Sequence, residues 1–157
     1  MNYRIEKKES FTVIGQSKRV STSDGKNNQQ IPVFWDEVSR NGVGHQILEI
    51  AENEEFVGVC MDFDQEKEEF TYMIGAETTN QQTQFEEREI GKNTWAVFES
   101  VGPLPEAIQS IWQRIFSEWF PTSGYEHADE AEFELYPPGN TADDNYSCEV
   151  WIPVMRK

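Results

Sequence analysis

The chain has 157 residues, of which 37% are hydrophobic, so it is long enough for one domain whose core buries about two-thirds of the unfolded surface. Thirteen Lys and Arg against 29 Asp and Glu give a net charge of -16, which disfavours direct binding to the phosphate backbone of a nucleic acid. No basic segment precedes an apolar run at the N-terminus, and no stretch approaches the roughly 18 apolar residues of a membrane span. These features predict a cytoplasmic protein without a membrane segment.

The elements are predicted in the order strand, helix, strands, and then strand, helix, strands. The first strand covers residues 12–20, and a polar, turn-rich loop follows at residues 21–30. Apolar residues on a 3.6-residue period predict a first helix at residues 31–38 and a longer second helix at residues 105–120. The other predicted strands cover residues 46–50, 56–62, 70–76, 85–90, 95–101, 131–136 and 146–154.

The two halves of the chain look like copies of each other. Each passes from an extended segment into an amphipathic helix that carries a tryptophan, Trp35 in the first half and Trp112 in the second. Two equivalent halves that bury their faces against each other leave a cleft along the pseudo-twofold axis, where ligands are often held. The predicted fold is therefore α+β: an antiparallel sheet built from two strand-helix-strand-strand repeats, about residues 1–80 and 81–157, with a central ligand cleft.

The potential metal ligands are few. Cys60 and Cys148 each lie in an apolar, strand-like run outside any C-x-x-C motif, which favours two buried thiols over a disulfide or a metal site. His45 and His127 lie far apart in sequence without companion ligands. We therefore expect no metal and no other cofactor.

Three segments of the second half carry a family resemblance. Residues 95–125, Phe133-Glu-Leu-Tyr136 and residues 148–154 closely resemble the effector-binding domain of AraC-type and MerR-type transcription regulators, which also occurs in free-standing gyrase-inhibitor-like proteins. A looser similarity continues through the first half. The resemblance implies a single domain over residues 1–157 that receives small organic molecules, often bulky aromatic cations. It also implies a buried Glu that acts as counter-ion in an aromatic-lined pocket.

The pocket acid of that family corresponds to Glu134. Strand alternation places Glu132, Glu134 and Tyr136 on one face, and one of the two acids is expected to face the cleft. A carboxylate among aromatic rings attracts a delocalised cation by its charge and through the ring faces, each ring contributing about 0.5–2 kcal/mol. Periodicity alone would make Glu134 one more surface acid among 29, whereas the resemblance favours the pocket.

Aromatic residues make up 13% of the chain, more than a core of this size requires, and surplus rings suit a flat or cationic ligand. Tyr136, Trp95 and Trp151 are the preferred ligand-binding rings. The other candidate walls, each of which could equally serve the core, are Phe34, Trp35, Tyr72, Phe98 and Trp112.

Two other functions fit the sequence. Some free-standing relatives hydrolyse small electrophiles with a pocket Glu and a Tyr, and Glu134 could act here with Tyr136 or Tyr72. An acidic domain could instead bind the basic surface of a DNA-binding enzyme such as gyrase. No Ser-His-Asp, glycine-rich phosphate loop or H-E-x-x-H signature is present, so no catalytic residue is assigned and a binding protein is favoured over an enzyme.

The regulators that the chain resembles join this domain to a helix-turn-helix segment. An extended start at Tyr3 and a last strand that ends three residues before Lys157 are expected to leave no room for such a segment here. Any effect on transcription is therefore expected to pass through an unknown protein partner or through sequestration of a ligand.

Overall fold

The computed structural model describes residues 1–157 and contains a large antiparallel sheet with its helices on one face. The strands are β1 Tyr3–Lys8, β2 Phe11–Ser21, β3 Phe56–Asp64, β4 Glu69–Glu77, β5 Glu86–Ile90, β6 Asn93–Val101, β7 Tyr125–His127, β8 Glu132–Tyr136 and β9 Ser147–Arg156. The helices are α1 Asn27–Arg40, α2 Val43–Ile50 and α3 Glu106–Arg114. A 3₁₀ turn, Ser23–Gly25, precedes α1, and α3 continues as a π-helical turn, Ile115–Trp119, and a last α-helical turn, Phe120–Thr122.

The strand order is symmetric about its centre. It runs β1-β6-β9-β8-β3-β4-β2-β5, and β7 pairs with the C-terminal end of β9. The order divides between its two central strands, β8 and β3. The strands of the unit β6-α3-β8-β9 lie on one side of this boundary, and those of the unit β2-α1-β3-β4 lie on the other. The predicted α+β fold of two strand-helix-strand-strand repeats is confirmed.

Strands β1 and β5 are exchanged between the two halves. Strand β1 precedes β2 but pairs with β6, and β5 precedes β6 but pairs with β2. Only Glu9-Ser10 and Gly91-Lys92 make these two connections, and three Cα steps span at most about 11 Å. Because the joined strands lie at or next to opposite ends of the sheet order, the sheet must curl until its ends meet.

The inner face of the curled sheet is a core made of strand residues alone. Phe11 of β2 contacts Phe133 of β8, with ring centroids 5.4 Å apart, although two strands lie between them in the sheet order. Trp95 and Trp151 pack against the same Phe133 ring. Burial of these rings without any helix accounts for the curl, because apolar area removed from water stabilises by about 25 cal/mol per Å².

The outer face carries the helices and leaves its centre uncovered. Helix α1 packs on β2, α2 on β4, and α3 on β6 and β9. Strands β3 and β8, the central pair, therefore lie between the helices as the floor of a cleft. None of the helices combines the length and the apolar character that a bilayer crossing requires.

Two sequence predictions of local structure are wrong, and one short strand was missed. Residues 46–50 belong to helix α2, where Val43, Ile47 and Ile50 share one helical face, and a short apolar run does not by itself distinguish a strand from a helix. Helix α1 begins at Asn27, inside the predicted loop. The short strand β7 was not predicted, because it pairs only with the end of β9.

Candidate ligand-binding cleft

The cleft between α1 and α3 has a volume of about 950 Å³, at the upper end of the usual range for small-molecule sites. Its floor is formed by alternate residues of the two central strands, which project from the outer face of the sheet. The side chains that define its floor and its helical walls are Phe56, Cys60, Glu132, Glu134, Tyr136, Ile31, Trp35, Ile108 and Trp112.

Glu134 lies at the centre of the floor and is 5% exposed. The Tyr72 hydroxyl donates a hydrogen bond to its Oε1 at 2.6 Å, and the Trp112 indole N–H donates to its Oε2 at 2.8 Å. Burial raises the pKa of Glu134, and hydrogen bonds from Tyr72, Trp112 and Tyr136 oppose that rise only in part. The carboxylate is therefore oriented by neutral donors, without a cationic side chain to balance its charge.

Equivalent tryptophans of the two repeats converge on this carboxylate. Trp112, from α3, reaches it directly, whereas Trp35, from α1, donates its indole N–H to the Tyr72 hydroxyl at 2.9 Å. The Tyr72 hydroxyl accepts from Trp35 and donates to Glu134, so its proton position is fixed by both neighbours. The pseudo-twofold symmetry thus supplies two indoles, one on each side of a single acid.

Gly58 makes room for this network. It pairs with Glu134 across the central strands, and its missing side chain would project from the outer face into the cleft. A Cβ at this position would lie 2.2 Å from the Tyr72 hydroxyl oxygen and 2.7 Å from Glu134 Oε1. Glycine is therefore required for the tyrosine and the carboxylate to meet above β3.

The charge of the lining is one-sided. The 29 lining residues include five acids and no Lys or Arg. Only His45 among them can carry a positive charge, and it pairs with Glu49, itself a lining residue, at 3.2 Å. The acids of the lining are Asp36, Glu49, Glu54, Glu132 and Glu134. A cleft of this composition attracts cations and repels anions.

Helices α1 and α3 are bridged at one end of the cleft. Pro32 lies inside α1 and has no N–H for the carbonyl of Asn28, four residues earlier. Gln109 of α3 donates its side-chain amide to that carbonyl at 3.0 Å. The proline therefore frees an acceptor that links the two cleft walls.

The structure divides the predicted ligand-binding rings into three groups. Tyr136 and Trp112 line the cleft, and Tyr72, which is fully buried, donates to Glu134 in the space left by Gly58. Phe34 is buried beside Tyr72 in the core behind α1, and Phe98 is buried beside Trp119 under α3. Neither phenylalanine lines the cleft.

Trp95 and Trp151, preferred from the sequence, lie on the inner face of the sheet, away from the cleft. The ring of Trp151 stacks on Phe133 with centroids 5.2 Å apart, and Trp95 meets the same ring edge-on. Alternation along a strand groups residues by face but does not show which face carries the ligand. Both faces of this sheet are aromatic and buried, so the alternation could not show which of them lines the cleft.

Other cleft residues were not predicted. Phe56, Phe63 and Phe116 line the cleft, and Gly58 shapes its floor. The signal for Gly58 was present in the sequence, since a glycine inside an apolar strand marks a close approach of other atoms. Both acids, Glu132 and Glu134, face the cleft, whereas one of the two was expected.

Comparison with known proteins identifies the family and the fold of this chain. Residues 1–155 match the GyrI-like small-molecule-binding domain, and none of the curated proteins compared with the chain matches it. The structure of SAV2435 bound to tetraphenylphosphonium is similar with a TM-score of 0.87 at 22% identity, covering 99% of this chain and 94% of that one. A putative transcription regulation protein from Staphylococcus aureus MU50 gives 0.82 at 21% identity, covering 98% of both chains.

A third solved structure shows the same architecture at a lower level of similarity. The EcmrR C-terminal domain gives a TM-score of 0.63 at 14% identity, covering 99% of this chain and 98% of that one. At such identities the likeness shows a common fold. Because the family match extends over nearly the whole chain, the protein belongs to the GyrI-like family of small-molecule-binding domains.

Proposed function

We propose that the cleft binds bulky organic cations whose charge is delocalised over aromatic groups, with Glu134 as the counter-ion. The observation that carries this proposal is a buried carboxylate that opens into a cleft lined by no Lys or Arg. Such a carboxylate is costly to keep charged, and a ligand cation would relieve that cost.

The hydrogen bonds around Glu134 favour a diffuse cation over a compact one. Tyr72 and Trp112 already donate to the two carboxylate oxygens, so a ligand need not supply a hydrogen-bond donor to either. A delocalised cation loses little hydration on entering an apolar cleft, and ring faces contribute about 0.5–2 kcal/mol each. Trp35 and Tyr136, in edge contact with centroids 5.0 Å apart, provide ring surface beside the carboxylate.

The size of the cleft and the ligand bound to a structurally similar protein support the same ligand class. A volume of about 950 Å³ suits a ligand with several rings. SAV2435, whose fold this chain shares, was solved with tetraphenylphosphonium, an aromatic cation of this kind. We extend that ligand class to the present chain on the strength of its own cleft.

A pair of ligands with nearly the same shape and opposite charge tests the proposal. Tetraphenylphosphonium should quench the fluorescence of Trp35 and Trp112 and bind at least about 30-fold more tightly than tetraphenylborate, because the carboxylate attracts one and repels the other. Fluorescence titration and calorimetry at two salt concentrations would measure both affinities. Equal affinities would show that the cleft recognises apolar shape alone, and tighter binding of the borate would refute the proposal.

A further inference from the structure

A second carboxylate, Glu132, lies in the same cleft. It precedes Glu134 by two residues on β8, so both side chains project from the outer face, about 7 Å apart along the strand. The side chain of Glu132 is 9% exposed. Its backbone partner on β3 is Cys60, another residue of the cleft floor.

The hydrogen bonds of Glu132 leave part of its carboxylate free. His127 Nε2 lies 3.1 Å from Oε2, whereas Oε1 has no hydrogen-bond partner. The backbone N–H of Asp129 donates to His127 Nδ1 at 2.9 Å, so that nitrogen must be an acceptor and the ring proton must be on Nε2. The His127 ring thus orients the Glu132 carboxylate through its Oε2 and leaves Oε1 facing the cleft without a partner.

Aromatic rings surround this end of the cleft. Along β3, Phe56 lies opposite Tyr136, Cys60 lies opposite Glu132, and Phe63 follows Cys60 by three residues. Phe70, the second residue of β4, also lines the cleft. Phe63 stacks on Phe70 with centroids 5.3 Å apart.

Phe116, from the π-helical turn, contributes a ring on the helical side of the same end. It stacks between Trp112 and His127, at centroid distances of 6.3 Å from each. Phe63 and Phe116 are 50% and 49% exposed, and both line the same cleft as Glu132.

We propose that Glu132 and the rings of Phe63, Phe70 and Phe116 form a second cation-binding position, so that the cleft prefers ligands with two cationic groups about 7 Å apart. This inference rests on the proposed function, because it takes Glu134 to hold the first cationic group. The ligand class is an aromatic cation that carries a second, quaternary ammonium group on a short arm.

Two phenanthridinium dyes test this inference. Ethidium carries one positive charge, and propidium carries the same ring system with an added quaternary ammonium arm. Propidium should bind the protein about tenfold more tightly than ethidium, and Glu132→Gln should reduce that advantage to about twofold while changing the affinity for ethidium less than about threefold. Phe63→Ser, at a half-exposed position, should also reduce the advantage of propidium and leaves the floor of the cleft intact.

The possible outcomes separate the two proposals. Equal binding of both dyes by the unmodified protein, or an unchanged preference in both variants, would overturn the second position and leave Glu134 as the only counter-ion. Failure of either dye to bind, together with failure of tetraphenylphosphonium, would instead overturn the proposed function. Thermal unfolding of each variant would show that the fold is retained, and Phe63→Ser decides the matter if Glu132→Gln does not fold.

Discussion

Replacing Glu134 by Gln should weaken the binding of tetraphenylphosphonium by about 30-fold or more, because removing one member of a desolvated charge pair costs about 2–5 kcal/mol. Glutamine has nearly the same shape and leaves the apolar walls in place. It still presents an oxygen to one of the donors Tyr72 and Trp112. Calorimetric titration of both proteins at neutral pH would measure the change.

The matched control is Glu126→Gln. Glu126 is an exposed acid on β7, outside the cleft, so its replacement changes the net charge by the same amount. We expect this variant to bind tetraphenylphosphonium within about twofold of the unmodified protein, since exposed charges are screened by salt. A similar loss in both variants would mean that the ligand responds to the overall negative charge and that Glu134 has no special role.

Replacing Gly58 by Ala should have the second-largest effect. The added methyl carbon would lie 2.2 Å from the Tyr72 hydroxyl and 2.7 Å from Glu134 Oε1, closer than packed atoms can approach. We expect the free energy of unfolding to fall by about 1–3 kcal/mol, as is usual for overpacking, and the affinity for tetraphenylphosphonium to fall about tenfold or more. Chemical denaturation and ligand titration would measure the two losses.

Two further variants identify the cause of these losses. At Gly91, a Cβ would meet no atom within 4 Å, so Gly91→Ala should leave both quantities nearly unchanged. Tyr72→Phe removes the hydroxyl nearest to the new methyl group, so the double variant should be more stable than the sum of the two single losses predicts. Additive losses of stability in the double variant would mean that Gly58→Ala destabilises the protein by a contact other than the one with Tyr72.

Most of the fold could be predicted because its signals are local. The apolar stripe of α3 and the alternating strands around it determine their elements without help from the rest of the chain. The repeat then determines how those elements combine. Helix α2 was missed because its apolar residues form too short a run to separate helix from strand, and the exchange of β1 and β5 has no local signal at all.

A site residue could be predicted only where its own chemical group and its sequence motif identified it. Glu134 could be named because a family motif contains it. Gly58 contributes only by lacking a side chain, which leaves room for Tyr72 and Glu134. The roles of Trp95 and Trp112 depend on which face of the sheet or helix meets solvent, and both faces of this sheet are rich in rings. Such choices are made by tertiary packing and cannot be deduced from periodicity.

The pH dependence of tetraphenylphosphonium binding tests the role of Glu134 most directly. The ligand is permanently charged, so any titration belongs to the protein. Because burial raises the pKa of Glu134 above its ordinary value of 4.5, the carboxylate takes up a proton as the pH falls through that raised pKa. The apparent affinity should then decline, approaching a tenfold loss per pH unit below it.

Calorimetric titrations from about pH 8 to about pH 4.5 on the unmodified protein and on Glu134→Gln would separate this group from the other acids. We expect a decline in affinity for the unmodified protein that the Gln variant lacks. Parallel curves for the two proteins would contradict the claim that Glu134 is the counter-ion of the cleft.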